Sequence, residues 1–107
     1  MSAAQVIANY ELFALTTAQM RAAAERGEWE VLISIESQRT TLLAQMKPLD
    51  VTVVLDPMAQ QRKAQLIEKI LADDIEISNL TQTWMSQLRL NIDSNSNELR
   101  VRQAYGV

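Results

Sequence analysis

The chain has 107 residues, 48% of them apolar, and a net charge of −3 with a pI near 4.9. That is room for one globular domain, and neither half of the chain is basic enough to grip a phosphate backbone. Cysteine and histidine are both missing. Disulfides and thiolate metal sites are thereby excluded, and so are the commonest general base and metal ligand. No cofactor is expected, and catalysis would have to rest on carboxylates, Lys, Tyr or Ser.

Ser2 and Gln5 stand three apart, the spacing of a capping box. Val6, Tyr10, Phe13, Thr17, Met20 and Ala24 then recur at intervals of three and four, flanked by Ile7 and Ala14. This periodicity predicts an amphipathic helix over about residues 3–26. Gly27 suits the left-handed residue that ends a helix.

Glu28 and Glu30 favour the start of a second helix, predicted over about 28–46. Trp29, Leu32, Ile33, Leu42, Leu43 and Met46 mark its expected inner face. Glu36 and Arg39 lie on or beside that face, spaced to pair with each other. They read either as a buried ion pair or as rim residues with packed stems.

Residues 47–56, bounded by Pro48 and Pro57 and rich in valine, read as an extended connection whose valines close the end of the core. Asp56-Pro57 is a strong helix-start signal, a cap residue followed by proline at the first position. The third helix is predicted over about 57–92, ending at Asp93-Ser94-Asn95-Ser96-Asn97, with a short tail beyond. Its stripe is Leu66, Ile70, Ile77, Leu80, Trp84 and Leu88, flanked by Ile67, Leu71 and Met85. Asp73 falls close to that stripe and reads as a soft spot or bend. The acidic stretch Glu68, Asp73, Asp74 and Glu76 reads as a solvated face, or alternatively as a hard-cation site.

The expected architecture is therefore all-α: an antiparallel three-helix bundle with a long third helix and a short C-terminal tail. At 1.5 Å per residue the helices would be about 36, 28 and 54 Å long. The third would then overhang the hairpin of the first two beyond Leu80. The overhang carries Trp84, Met85, Leu88, Leu90 and Ile92, and exposed apolar surface of that kind marks an interaction site. Either a partner covers it, or the tail or a kink does, or a second copy pairs through it. The partner-binding residues expected are Leu66, Ile70, Ile77, Leu80, Trp84, Met85, Leu88 and Ile92. Arg100 and Arg102 are offset by Asp93 and Glu98, so no nucleic-acid footprint is expected. No basic leader opens the chain and no apolar run is long enough to span a membrane, so a cytoplasmic protein is expected.

At Arg26-Gly27-Glu28-Trp29-Glu30, with Leu32, Glu36, Arg39 and Leu42-Leu43 following, the sequence resembles the FliT family of flagellar type III export chaperones. Tyr10 stands where enteric members carry an aromatic residue, and Ala104-Tyr105-Gly106 resembles the Ala-Tyr-Gly that follows the family's long third helix. The resemblance implies a chaperone for the filament-cap protein FliD. Such a protein binds the client's C-terminal region, prevents premature assembly and delivers it to the export apparatus, contacting the export ATPase and the export gate. Some enteric members also inhibit the flagellar master regulator FlhDC. Those members continue past Ala-Tyr-Gly into a further helix that can mask the binding surface, whereas this sequence stops at Val107. The expectation is that the mask is trimmed or lacking here, which leaves inhibition of the regulator in doubt. The alternatives are a structural coiled-coil adaptor that homodimerises through helix three, and a chaperone like FlgN for the hook–filament junction proteins. The Arg-Gly-Glu-Trp turn argues against the latter.

Overall fold

The computed structural model describes the backbone of residues 2–104 and the side chains of residues 2–89. Three α-helices make up the fold: α1 (Ala3–Glu25), α2 (Trp29–Thr52) and α3 (Pro57–Ala104). Among the described residues there is no strand, and the chain is an all-α bundle. It divides into two compact units, Met1–Ile77 and Ser78–Val107.

The ends of α1 follow from local chemistry. The Ser2 hydroxyl accepts the Gln5 N–H at 3.4 Å. At the other end, Glu28 N–H donates to Ala23 O (2.9 Å) and Gly27 N–H donates to Ala24 O (3.1 Å). These are the two bonds of a Schellman cap, and Gly27 sits at φ +70° as that cap requires. The reversal lets α2 run back along α1.

The helix order within Met1–Ile77 is legible from side-chain contacts. Tyr10 and Lys63 both reach Asp50, and Arg62 meets Glu11, so the start of α1, the end of α2 and the start of α3 lie together. Further along, Thr17, Arg39 and Asp74 meet. Hence α2 is antiparallel to its neighbours, and α1 and α3 run the same way. The core of this unit is Val6, Ala14, Met20, Ala23, Ala24, Leu32, Met46, Leu66, Ile70 and Ile77. All of its α1 and α3 members except Ala23 belong to the predicted stripes or their flanks.

Several sequence expectations are corrected. Helix α2 does not stop before Pro48; it contains Pro48 and ends at Thr52. Proline in a helix interior costs about 3 kcal/mol relative to Ala, but here the ring is exposed and the turn beyond it is held. Asp50 accepts from Tyr10 (2.5 Å), Thr52 Oγ1 donates to Pro48 O (2.9 Å), and Val53 N–H donates to Leu49 O (3.0 Å). The valines of this stretch contribute no fully buried side chain to the core: Val51 is 86% and Val54 91% exposed, and Val53 is half-buried. On α2, Leu32 and Met46 are buried, with Trp29 and Leu42 half-buried, whereas Ile33 and Leu43 face outward.

Helix α3 starts where expected. The Asp56 carboxylate accepts the Ala59 N–H at 2.8 Å, with Pro57 as the first helical residue. It does not end near residue 92 but continues to Ala104. Asp, Ser and Asn are only mildly poor helix formers, about 0.7 kcal/mol each at most. Without a Gly or Pro they do not stop it.

Candidate functional site

The predicted partner-binding residues fall into two groups. Leu66, Ile70 and Ile77 are buried in the core of Met1–Ile77. Leu66 and Ile70 cluster there with Ala14, against Ile7, Tyr10 and Phe13 of α1. The rest belong to Ser78–Val107. Leu80 and Trp84 are half-buried, whereas Met85 is 45% and Leu88 41% exposed. Leu90 and Ile92 lie outside the described side chains, as do Arg100, Arg102 and the Ala104-Tyr105-Gly106 motif. Residues 84, 85 and 88 are spaced one, three and four apart, so they share one side of α3. They can offer packing surface to an apolar partner.

The acidic stretch on α3 is a solvated face only in part: Glu68 is exposed, whereas Asp73 and Asp74 bond to other helices. Asp73 is buried, and its Oδ1 accepts from Arg21 Nη1 of α1 at 3.1 Å. Its Oδ2 is also buried and makes no hydrogen bond; the Lys69 ammonium stands 3.5 Å away. Asp74 Oδ1 accepts from Arg39 Nη1 at 2.6 Å. Arg39 does not pair with Glu36, which is exposed. The same Arg39 nitrogen also donates to Thr17 Oγ1 at 3.2 Å, and its guanidinium lies 5.2 Å from the Phe13 ring centroid. Thr17 is 0% exposed and its hydroxyl donates to Phe13 O at 2.8 Å. Arg39 is thus no rim residue but a bridge between α1 and α3.

At the other end of this unit, burial pushes the Tyr10 phenol well above its ordinary pKa, and the hydrogen bond and charge of Asp50 push it further. Lys63 Nζ lies 5.2 Å from the same ring centroid. Arg21 is likewise held above its usual value, first by its bond to Glu25 and then by Asp73. Both shifts, of the Tyr10 phenol and the Arg21 guanidinium, run away from neutrality, where a general acid or base would work.

Two open clefts mark the described surface. One, about 410 Å³, is lined by Val6, Asp50, Val54, Lys63, Ile67 and their neighbours. The other, about 550 Å³, lies between α1 and α3 beside Leu15, Ala18, Leu66 and Lys69. Each has a single carboxylate in its wall, Asp50 or Glu11, so neither has the facing pair that carboxylate catalysis needs. Among the described residues no cluster of three or more acidic side chains could hold a metal ion, and no helix is long and apolar enough to cross a membrane.

The family model described as "Flagellar protein FliT" matches residues 7–107. A protein of Cronobacter sakazakii (strain ATCC BAA-894), named "Flagellar protein FliT", is 29% identical over 97 residues, covering 89% of this chain and 78% of its own length. No solved structure matches the chain. The matched region takes in all of α2 and α3 and all but the first turn of α1, and on that extent the chain belongs to the FliT family of flagellar chaperones.

Proposed function

We propose that this protein is a cytoplasmic flagellar type III export chaperone whose client is the filament-cap protein FliD. It binds the client's C-terminal region, prevents premature assembly and passes the client to the export ATPase and the export gate. The observation that carries the reading is the exposed apolar pair Met85 and Leu88 beside half-buried Trp84 on α3. Leu66, Ile70 and Ile77 serve as the scaffold that positions the helix, because their side chains are already buried. An amphipathic client segment would lay apolar anchors, spaced three and four apart, against residues 80–92.

Reversible packing suits a carrier that must let go. Fully burying a side chain such as Leu is worth about 1.5–3 kcal/mol, so a few partly buried anchors support binding that is tight enough to protect and weak enough to release. The test is calorimetric titration of a FliD C-terminal peptide into Leu88→Asp, with helicity checked by circular dichroism. A buried unpaired carboxylate should weaken binding about tenfold or more. Unchanged affinity in a folded variant would remove α3 as the client site.

A further inference from the structure

The apolar stripes of the bundle are heptads. On α1, Val6, Tyr10, Phe13, Thr17, Met20 and Ala24 alternate by four and three; on α3, Leu66, Ile70, Asp73, Ile77, Leu80 and Trp84 do the same. On α2, Leu32, Arg39 and Met46 recur every seven. Thr17 and Asp73 are thus buried polar residues within the stripes of α1 and α3, and the largely covered Arg39 takes the corresponding place on α2. In the structure Thr17 and Arg39 meet directly, and Asp73 joins them only through its neighbour Asp74 in sequence. Arg39 bonds Thr17, which is fully buried, and Asp74, next to Asp73, while Asp73 bonds Arg21 of α1. The outcome is a polar layer across the middle of Met1–Ile77.

We propose that this layer is a register and self-avoidance device. It selects the intramolecular packing of α1, α2 and α3 over slipped packings and over pairing between copies of α3. The energetics fit selection better than stabilisation. Asp73 Oδ2 is buried without a hydrogen bond and has only the Lys69 ammonium, 58% exposed, at 3.5 Å, an arrangement that an all-apolar layer would avoid. Buried polar contacts of this kind are often no better than apolar replacements of similar volume, and their best-attested use is to specify register and partner number. A one-turn slip of α3 would carry Asp73 away from Arg21 and leave its buried carboxylate with no partner but Lys69 of its own helix. An in-register pair of α3 helices would bring two Asp73–Asp74 steps together, like charge against like. A helix with an otherwise apolar heptad stripe from Leu66 to Trp84 needs such a device, whatever partner its far end receives.

The experiment replaces the layer with apolar residues of similar size: Thr17→Val, Arg39→Met and Asp73→Leu together. Arg21 and Asp74 are partly exposed and can hydrate. Register is read by placing cysteines at Glu11 and Arg62, partners across α1 and α3 at 3.5 Å, in a chain that has none of its own. A short bismaleimide then links them. The parent layer should give a single intramolecular product. The apolar layer should be at least as resistant to urea, yet give a mixture of intramolecular and intermolecular products and additional larger species in sedimentation. If it keeps the single product and the parent's sedimentation profile, the proposal is overturned. A lower urea midpoint also overturns it, because the layer would then be an ordinary stabilising contact. Asp73→Leu alone is the second variant and decides the matter if the triple variant does not fold: it should be no less stable than the parent and lose the single register, and a lower urea midpoint or an unchanged single product overturns the proposal.

Discussion

Removing Arg39 alone should be far more damaging than replacing the whole layer. The side chain is 20% exposed and makes three interactions at once. Its bond to Asp74 joins a carboxylate that is 37% exposed, so solvent screening holds that pair to about 0.5–1 kcal/mol. The bond to the buried Thr17 hydroxyl adds about 0.5–1.5 kcal/mol, and the contact with the Phe13 face about 0.5–1 kcal/mol. Arg39→Ala should therefore cost about 1.5–3.5 kcal/mol, within the range of a broken polar network. In a unit of this size that lowers the melting temperature by at least about 6 °C. Urea unfolding followed by far-ultraviolet circular dichroism measures the cost, and a double-mutant cycle with Asp74→Ala isolates the pair, expected at about 1 kcal/mol of coupling. Arg39→Lys should recover only part of the loss, since an ammonium cannot present a planar fork to Thr17 and Asp74 while stacking on Phe13. If Arg39→Ala costs less than about 0.5 kcal/mol, the level of an ordinary surface substitution, the bridging role is refuted.

Further outcomes follow from single positions. Gly27→Ala has room, because an added Cβ would meet only Trp29 Nε1 at 3.9 Å; its cost should be the backbone strain at φ +70° alone, about 1–2 kcal/mol in the same urea assay. Pro48→Ala should stabilise the protein by about 1–3 kcal/mol, because it returns an N–H to the interior of α2. Tyr10 should ionise well above its ordinary value of 10.0 in an ultraviolet absorbance titration, with Asp50→Asn moving it partway back. Folding favours its protonated form, so this contribution to stability is complete below pH 10 and is lost as pH rises through the raised native value. An ordinary Tyr10 titration would contradict its burial against Asp50.

The bundle itself was legible in the sequence because helix periodicity and end signals are local. The α1 stripe, the Gly27 stop and the Asp56-Pro57 start each depend on a few neighbouring residues, and the structure keeps all three. The family likeness rests on short local stretches too, chiefly the Arg26–Glu30 turn and the residues of α2 that follow it, and the family match over residues 7–107 agrees with it. The end of α2 was not legible. Whether a helix survives a proline depends on Tyr10 and Lys63, some forty and fifteen residues away in sequence, which hold Asp50 beyond it. The end of α3 was misread because a polar run without Gly or Pro weakens a helix without stopping it.

Side-chain partners were the part that tertiary structure alone decided. Spacing on one helix suggested Glu36 for Arg39, since residues three apart are neighbours. The fold instead brings Thr17 and Asp74 within reach and leaves Glu36 exposed. Likewise the sequence placed Asp73 near an apolar stripe but could not show that Arg21 of α1 would meet it there. The stripe of α3 was read as one continuous binding surface, yet Leu66, Ile70 and Ile77 are covered while Met85 and Leu88 are exposed. Periodicity reports which side of a helix is apolar; what covers that side depends on segments distant in the chain, and only their packing reveals it.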